Sequence, residues 1–416
     1  MINGKSISTM FMKRVSSKES FRIDEWISLF LFSSYLLIET NPFLSSYNMI
    51  QYMLFFSILI VLVVYLIRNS INKLDLSFLA RYCVFFFFSV FSCAYAQSDE
   101  LSTSQFVPIL KILFLLLFLC LVIKNSASLK LYEYSFLAIC IINLISYLPG
   151  ISFASYLGDR TTIQIFGNDI NVNSIAPIYS LFSIVIAAIL INCGSKFGKA
   201  VLFLFFVFNF VFLLIIGSRG GVLVSFLALL VVLLLTVKLK ILFPTIIVTL
   251  LLMAVLYMFI KNNQVLYASI GHRFEETIDS VFNGVESSTS DSDMYRQSLI
   301  KLGWDSFLEK PFFGYGINNF RYISGHMYAH NNYIEILVDL GIFGFLAYYL
   351  PILVLFGKIF FHRRQSPSAL MFITFVLIYD LFIVSYNTFV FNYALLLAYK
   401  HFSFIEVPKK YDKSPN

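Results

Sequence analysis

Long apolar stretches, separated by short polar segments, make up most of the chain. A helix needs about 20 apolar residues to cross the hydrocarbon core of a bilayer, and stretches of that length recur throughout. The pattern predicts about twelve transmembrane helices, within a range of eleven to thirteen because 199–260 is nearly continuous and 332–361 is long. The predicted spans are 25–41, 48–68, 76–96, 105–124, 129–148, 173–193, 199–217, 220–238, 240–260, 342–361, 368–386 and 388–404.

Composition supports the same fold class. Of the 416 residues, 59% are hydrophobic and 13% are charged, and the mean hydropathy is +0.82. A soluble domain carries roughly 25% charged residues and could not bury this much apolar surface. We therefore predict an all-α, polytopic transmembrane protein.

The basic residues indicate orientation. The net charge is +7, but most Lys and Arg lie in short loops between predicted spans, which is a membrane pattern and does not indicate nucleic acid. Alternate loops are basic, whereas the loops around 42–47, 97–104 and 387 have no Lys or Arg. Basic loops face the cytoplasm, so both termini are predicted to be cytoplasmic.

Three regions follow from this topology. Residues 1–260 hold nine predicted spans and a smaller outward loop at 149–172. Residues 261–331 form one large extracytoplasmic loop, predicted to be partly helical. Residues 332–416 hold an interfacial helix, the last three spans and a cytoplasmic tail. A loop longer than about 15 residues is usually functional or disordered, which directs attention to 261–331.

Several chemistries lack their sequence signatures. The chain has no phosphate-binding P-loop and no serine nucleophile elbow, so neither nucleotide hydrolysis nor a serine esterase is indicated. The five cysteines form no CxxC pair, and the acidic residues of the large loop do not have calcium-site spacing. We predict no cofactor and no metal.

Arg219 lies at the outer end of a predicted span, beside Gly220 and Gly221. An arginine at the membrane needs an anion, a carbonyl or water, and the glycines let a bulky head group come close. One interpretation is capture of a phosphate or pyrophosphate by the guanidinium group. The alternative is an interfacial side chain that extends to water.

His330 ends the large loop, before a segment in which Asn331, Glu335 and Asp339 recur on one helix face. This spacing places His330 at a helix start near the membrane surface. Histidine can act as a base near neutral pH. An ordinary polar residue at the interface is the alternative. Asn331 and Glu335 are candidate substrate-binding residues.

Further candidates lie in the large loop and in the smaller outward loop. Arg296 and Arg321 in the large loop either meet an anion or are solvated. In the smaller loop, Arg160 precedes Asn171 and Asn173, a set suited to binding a sugar or capping the next helix.

Two predicted spans contain an ionisable residue. Asp380 falls in the eleventh span and Lys111 in the fourth. Such charges are costly in a bilayer, so they are expected to pair with each other or to line a cavity. Asp380 is therefore also a candidate substrate-binding residue.

Several of these elements resemble the O-antigen ligase and polymerase superfamily of bacterial envelope glycan assembly. The strongest likeness runs from Pro311 to Gly344, which reads PFFGYGINNF and then His-Asn, nine residues and Gly-x-x-Gly before a span. Ser218-Arg219-Gly220 is similar to the family's Ser-Arg-Gly at the outer end of a span. Arg160 with Asn171-Val172-Asn173 is similar to an Arg followed by Asn-Pro-Asn, with Val172 in place of Pro. Arg296 matches by position alone.

The resemblance implies a multi-pass glycosyltransferase of the bacterial cytoplasmic (inner) membrane, with its active site facing the periplasm or exterior. It implies undecaprenyl-pyrophosphate-linked oligosaccharide as donor and acceptor, without a metal. Arg219 and Arg296 would hold the pyrophosphate, and His330 would orient or deprotonate the acceptor hydroxyl. These three are the predicted catalytic residues. The lipid bilayer and a chain-length regulator protein are the further expected partners.

Three functions stay open. A polymerase joins lipid-linked repeat units into O-antigen or capsular polysaccharide, and Asn331-Asn332-Tyr333 with Gly341 and Gly344 favours it. A ligase transfers the glycan to lipid A–core. A multispan transporter or flippase fits the span count and a Lys111–Asp380 pair. Against transport, no two halves share interrupted helices, and the polarity is concentrated in one outward loop.

Overall fold

A computed structural model describes residues 23–41, 43–44, 48–68, 71–150, 162–165, 168–216, 218–236, 288–325 and 327–411, with scattered positions between 247 and 275. The described chain is mainly helical. Its main elements, in chain order, are α1 Ile23–Thr40, α2 Asn48–Arg68, α3 Lys73–Ser92, α4 Asp99–Thr103, α5 Phe106–Val122, α6 Ser126–Tyr147, β1 Thr162–Ile165, β2 Asn168–Asn171, α7 Val172–Asn192, α8 Lys196–Ile215, α9 Arg219–Thr236, α10 Ser288–Glu309, α11 Phe320–Ile323, α12 Asn332–Phe361, α13 Pro367–Tyr379 and α14 Phe389–Tyr411.

The helices form a polytopic membrane bundle. Among the described residues, seven helices are long and apolar enough to cross a membrane: Met49–Arg68, Lys73–Ser92, Asp99–Val122, Ser126–Tyr147, Val172–Asn192, Lys196–Leu213 and Asn332–Phe361. Shorter apolar helices cover Gly220–Leu235, Pro367–Tyr379 and Phe389–Ile405. Large apolar side chains point outward, such as Ile60 and Ile67 on α2, which are 67% and 80% exposed. That surface suits lipid and not water.

The described helices lie near every predicted span except the ninth, 240–260, most of which falls outside the described residues. The count of twelve therefore stays a prediction. The eleventh span differs in length, because α13 ends at Tyr379 and not near 386. Asp380 caps α13, so this carboxylate lies beyond the helix and not inside it.

The structure agrees with the predicted all-α membrane class, and the smaller outward loop adds one β-hairpin, in which Thr162 pairs with Asn171 and Ile165 with Asn168. One expectation needs correction. The predicted pairing of Lys111 with Asp380 is wrong. The Lys111 ammonium instead forms a 3.1 Å salt bridge with Glu39, since the end of α1 is the carboxylate-bearing element beside α5.

Two of the short loops without Lys or Arg, 97–104 and the one at 387, lie at the same end of the bundle. The loop after α3 contacts the large loop, because Gln97 N donates to Tyr315 O at 3.2 Å. The loop before α14 contacts the α4–α5 junction, because Asn387 Nδ2 donates to Gln105 Oε1 at 2.7 Å. In a membrane bundle, every second loop lies on the same side of the membrane. These contacts therefore agree with the prediction that the loops without Lys or Arg share one side.

α12 is broken at Gly341, whose φ of 64° and ψ of −168° are not helical. A break leaves carbonyls on one side and N–H groups on the other without helical partners, and buried backbone groups need partners. The segment Pro311–Gly316 supplies them. Four hydrogen bonds join it to the break: Tyr315 N to Val338 O (2.9 Å), Gly316 N to Asp339 O (2.8 Å), Ile342 N to Pro311 O (2.8 Å) and Phe343 N to Phe312 O (3.4 Å).

Two glycines let this segment approach the helix. A Cβ on Gly341 would lie 2.3 Å from Phe312 C, and a Cβ on Gly314 would lie 2.3 Å from Val338 O. Both residues also have positive φ, at 64° and 71°. The glycines of the sequence motif therefore belong to the two sides of one backbone contact, here called the Gly341 joint.

The Asp339 side chain fixes the chain beyond the joint. Its buried carboxylate accepts hydrogen bonds from Asn318 N at 2.6 Å and Phe320 N at 2.8 Å. Ser92 at the end of α3 adds a further bond, from Ile317 N to its Oγ at 3.0 Å. The large loop is thus attached to both α3 and α12 before it reaches the residues predicted to be functional.

Gly341→Ala is expected to destabilise the protein. The added Cβ meets the Phe312 backbone, and the φ/ψ combination is accessible essentially to glycine alone, at a cost of about 1–3 kcal/mol. The measurement is the thermal unfolding midpoint in detergent. The matched control is Gly357→Ala on the same helix, where nothing lies within 4 Å of the new Cβ and alanine is the better helix former. Equal midpoints for the two variants would contradict the Gly341 joint.

Candidate active site

His330 lies at the point where the large loop enters α12. Its φ is 52°, a left-handed conformation that is uncommon for a residue with a side chain. Asn331 follows as the N-cap of α12, and its Oδ1 accepts hydrogen bonds from Tyr333 N (3.0 Å) and Ile334 N (3.1 Å). The left-handed conformation of His330 and the cap at Asn331 together fix the direction of the imidazole. Strained backbone of this kind is common at functional sites.

Glu335 binds the backbone just before His330. Its buried carboxylate accepts a hydrogen bond from Ala329 N at 2.6 Å. The sequence singled out Asn331 and Glu335 as candidate substrate-binding residues. In the fold, both use side-chain oxygens to bind backbone N–H groups on either side of His330. We therefore assign them to positioning the histidine.

Asp380 takes part in a buried polar network below His330. Asn332 N donates to Asp380 O at 2.8 Å, which ties the start of α12 to the end of α13. The Asp380 carboxylate accepts from Tyr349 Oη at 2.9 Å and from Ser385 Oγ at 2.5 Å. The side chain is fully buried, so Asp380 supports the loop rather than offering a free carboxylate.

α10 carries Arg296 across the start of α12. Gly303 allows the two helices to approach, since a Cβ there would lie 2.3 Å from Ile334. Leu299 lies one turn earlier and packs in a small apolar cluster with Phe320 and Ala329. Arg296 lies on the same face, about one further turn along α10, because residues three, four and seven apart share a helix face. The half-buried Arg296 is thereby brought to His330.

Tyr328 is the residue around which the predicted site residues gather. Its ring lies 4.0 Å from the His330 ring, centroid to centroid, and Arg321 Cζ lies 6.0 Å from the Tyr328 centroid. No sequence motif identifies Tyr328 as a site residue. Its only signal is a position two residues before His330, which is weak in a chain with 25 tyrosines.

The pKa of Tyr328 reports which charges surround it. Burial raises this pKa, and the positive charges of Arg296 and Arg321 oppose the rise. Glu335 adds to the rise, and a hydrogen bond from the Asn173 side chain opposes it. Four residues selected from the sequence therefore surround one hydroxyl, although they come from different segments of the chain.

The pKa of His330 is lowered to about 4, first by burial and then by the nearby positive charge of Arg296. Both causes disfavour the imidazolium ion. The imidazole is consequently neutral at pH 7, and one ring nitrogen can accept a hydrogen bond or a proton.

Arg321 carries a buried side-chain donor. Within the described part of the chain, its Nε is buried and has no hydrogen-bond partner. Such a group costs free energy unless a ligand or water satisfies it, and guanidinium nitrogens are suited to carboxylate and phosphate oxygens. An anionic ligand beside Tyr328 would satisfy this donor.

The smaller loop contributes through the start of α7. Asn171 is the N-cap of α7, and its Oδ1 accepts from Asn173 N at 2.8 Å, so the cap forms with Val172 in the place of proline. Asn173 follows and reaches Tyr328. Of the two interpretations of this cluster, capping describes Asn171. Arg160 lies outside the described residues.

Arg219 is the first residue of α9, and its side chain lies outside the described part of the structure. The turn before it is well defined. Ser218 Oγ accepts from Gly221 N at 3.1 Å, and Ser180 Oγ on α7 donates to Gly221 O at 3.1 Å. α9 thus begins against α7, about two turns from Asn173. A helix N-terminus favours negative charge, which suits the predicted phosphate contact of Arg219.

A titration of the histidines is expected to show the lowered pKa of His330. In wild type, His330 should show no protonation between pH 5 and 8, because its pKa lies near 4. Arg296→Gln removes one cause of the shift, so the pKa should rise toward the ordinary value of about 6.5. NMR of labelled histidines gives the titration, and the His330 signal is the one that His330→Ala removes. A wild-type His330 that titrates near 6.5 would contradict the described site.

The comparisons with known proteins bear on this region. Residues 202–349 match a family model described as O-antigen ligase. The matched segment contains Arg219, Arg296, Arg321 and His330, whereas Asn173 and Asp380 lie outside it. No individual curated protein matches the chain. The match confirms the resemblance to the O-antigen ligase and polymerase superfamily over residues 202–349, and it supports a membrane function in polysaccharide biosynthesis.

Proposed function

We propose that this protein polymerises undecaprenyl-pyrophosphate-linked oligosaccharide repeat units on the outer face of the cytoplasmic membrane. The observation that carries the proposal is the convergence of Arg296, Arg321 and a neutral His330 on Tyr328. Two guanidinium groups beside a neutral imidazole suit a reaction with an anionic leaving group and a hydroxyl nucleophile. Both features belong to transfer of a glycan from a lipid pyrophosphate.

The arginines act on the donor. The donor's lipid lies in the bilayer and its pyrophosphate lies at the interface, the level at which α12 begins. Arg296 and Arg321, with Arg219 from the start of α9, bind the pyrophosphate oxygens through charge-assisted hydrogen bonds. Negative charge on the bridging oxygen grows as the glycosidic carbon leaves it, so these contacts strengthen in the transition state. Arg321 Nε, which has no partner among the described residues, is one donor for that charge.

His330 acts on the acceptor. A hydroxyl of the acceptor sugar attacks the anomeric carbon of the donor, a carbon–oxygen bond forms, and the carbon–oxygen bond to the pyrophosphate breaks. The hydroxyl proton moves to a ring nitrogen of His330, and undecaprenyl pyrophosphate departs. A pKa near 4 makes His330 a weak base. Glycosyl transfer has an oxocarbenium-like transition state, in which the attacking hydroxyl becomes acidic late, so a weak but oriented base suffices.

Polymerase and ligase differ only in the acceptor. The residues that favour a polymerase have scaffold roles in the fold, since Gly341 forms the joint and Asn332 binds the α13–α14 loop. These residues therefore do not separate the two functions, and an assay that offers both acceptors does. A ligase requires lipid A–core, whereas a polymerase needs only the lipid-linked repeat unit.

Purified protein in proteoliposomes, supplied with lipid-linked repeat units on the outer face, is expected to produce a ladder of longer lipid-linked chains. His330→Ala should reduce the rate by about 10²-fold or more, the usual contribution of a positioned base. Arg219→Ala and Arg296→Ala should likewise remove product. The matched control is His362→Ala, a histidine at the opposite end of α12, which should leave the rate unchanged.

Each competing function has its own outcome in this assay. Product only after addition of lipid A–core would replace the polymerase with a ligase. Movement of intact repeat units without extension would establish a transporter. Full activity in His330→Ala, in protein that inserts normally, would remove His330 from the site.

A further inference from the structure

α12 folds back on itself at the Gly341 joint. In a straight helix, residues 332 and 349 would lie about 25 Å apart, since each residue adds about 1.5 Å. Instead, Asn332 Nδ2 donates to Tyr349 Oη at 2.7 Å, and the Tyr333 and Tyr349 rings stack with their centroids 4.5 Å apart. The non-helical Gly341 lies midway between these residues. The chain before Gly341 therefore runs alongside the chain after it, and the joint is the tip of a helical hairpin.

The tip lies at the outer edge of the membrane. The part of α12 after the joint, 342–361, has the length of one span, about 30 Å. It ends before Arg363 and Arg364, which belong to a loop predicted to be cytoplasmic. α3 gives the same level, because it is also about one span long and the Phe91 ring at its outer end lies 6.4 Å from the Phe313 ring. Two helices thus place the joint one bilayer thickness from the basic end of the bundle.

Five aromatic residues surround the joint on its outer surface. The Phe343 ring lies 6.0 Å from the Phe312 ring and 5.3 Å from the Phe313 ring. The Phe313 ring also lies 6.2 Å from that of Tyr95, whose Oη donates to Phe313 O at 2.8 Å. Together with Phe91, these residues are here called the aromatic cluster. Its four phenylalanines are 44% to 60% exposed, so their rings need a partner outside the described chain.

The exposed face of the aromatic cluster continues along the sides of two helices. On α12, Leu350 and Leu353 recur with Phe343 at helical spacing and are 54% and 51% exposed. On α3, Phe87 lies one turn before Phe91 and is 67% exposed. A loop surrounded by water would not continue an apolar stripe of this kind, since apolar patches on soluble surfaces are small. Lipid of the outer leaflet is therefore the partner that fits the cluster.

We propose that the aromatic cluster inserts the turn Pro311–Gly316 of the large loop into the outer leaflet, where its rings contact lipid just below the head groups. Aromatic residues are enriched at this level of membrane proteins. Irregular backbone is tolerated at membrane depth where the protein satisfies its polar groups, and four hydrogen bonds already join this turn to α12. The bilayer then holds the same turn that forms the Gly341 joint. This inference is independent of the proposed glycosyl transfer.

The test measures the depth of single tryptophans by fluorescence quenching of the full chain in nanodiscs. The chain has two tryptophans, Trp26 and Trp304, and both are first replaced by phenylalanine. Phe313→Trp then places one indole in the aromatic cluster, and Phe312→Trp is the second placement. Leu353→Trp is the matched reference, at an exposed position near the middle of the same span. The quenchers are lipid brominated near the head group, lipid brominated deep in the acyl chain, and aqueous iodide.

The indole of Phe313→Trp is expected to lose more fluorescence to lipid brominated near the head group than to deeply brominated lipid. Leu353→Trp should show the reverse order, and iodide should quench neither, because both indoles face lipid. The unfolding midpoint of each variant serves as the folding control.

Three outcomes at the two cluster positions would overturn the proposal. Quenching by iodide and not by lipid would place the turn in water. Quenching by none of the three agents would mean that protein, such as a second copy of the chain, covers the cluster. A pattern equal to that of Leu353→Trp would place the turn at the membrane centre and not below the head groups.

Discussion

The candidate site depends on the Gly341 joint. Inside a membrane protein, a broken helix leaves backbone groups that must find partners within the protein. The Pro311–Gly316 segment provides those partners, and glycines on both sides allow the close approach. Because the joint fixes where the large loop returns to α12, it also fixes where His330 begins that helix. The motif glycines are thus required for the backbone hydrogen bonds of the joint and not for contact with a reacting atom.

Buried carboxylates extend this arrangement to the site. Asp339 binds the N–H groups around α11, Glu335 binds the one before His330, and Asp380 binds the loop below. A carboxylate that accepts bonds from its own protein orients the backbone but offers little to a substrate. In the proposed function, this division leaves Arg296, Arg321, Tyr328 and His330 to contact the ligand. The polar side chains along α12 therefore position the site, and the proposed function assigns ligand binding to the arginines of the large loop.

The sequence predicts the helices well because a bilayer makes the pattern simple. Spanning segments must be apolar and about 20 residues long, so their positions are readable without knowledge of packing. The helix start at His330 was also readable, from the spacing of Asn331, Glu335 and Asp339. Tyr328 was not, because its importance arises from Arg296, Arg321 and Asn173, which come from three other segments. The burial of Arg321 Nε and the hairpin at Thr162–Asn171 were not predicted either, because both depend on tertiary contacts.

The proposed function requires that the guanidinium groups beside Tyr328 and His330 bind the donor's pyrophosphate. The most direct measurement is the affinity of the detergent-solubilised protein for undecaprenyl pyrophosphate, in wild type and in Arg321→Lys. Lysine keeps the charge but loses Nε and the planar fork, so binding should weaken about tenfold. Arg363→Lys is the control, because Arg363 at the far end of α12 also has a buried Nε without a partner among the described residues. Weaker binding in Arg321→Lys alone is the predicted result, and equal affinity in all three proteins would contradict the account.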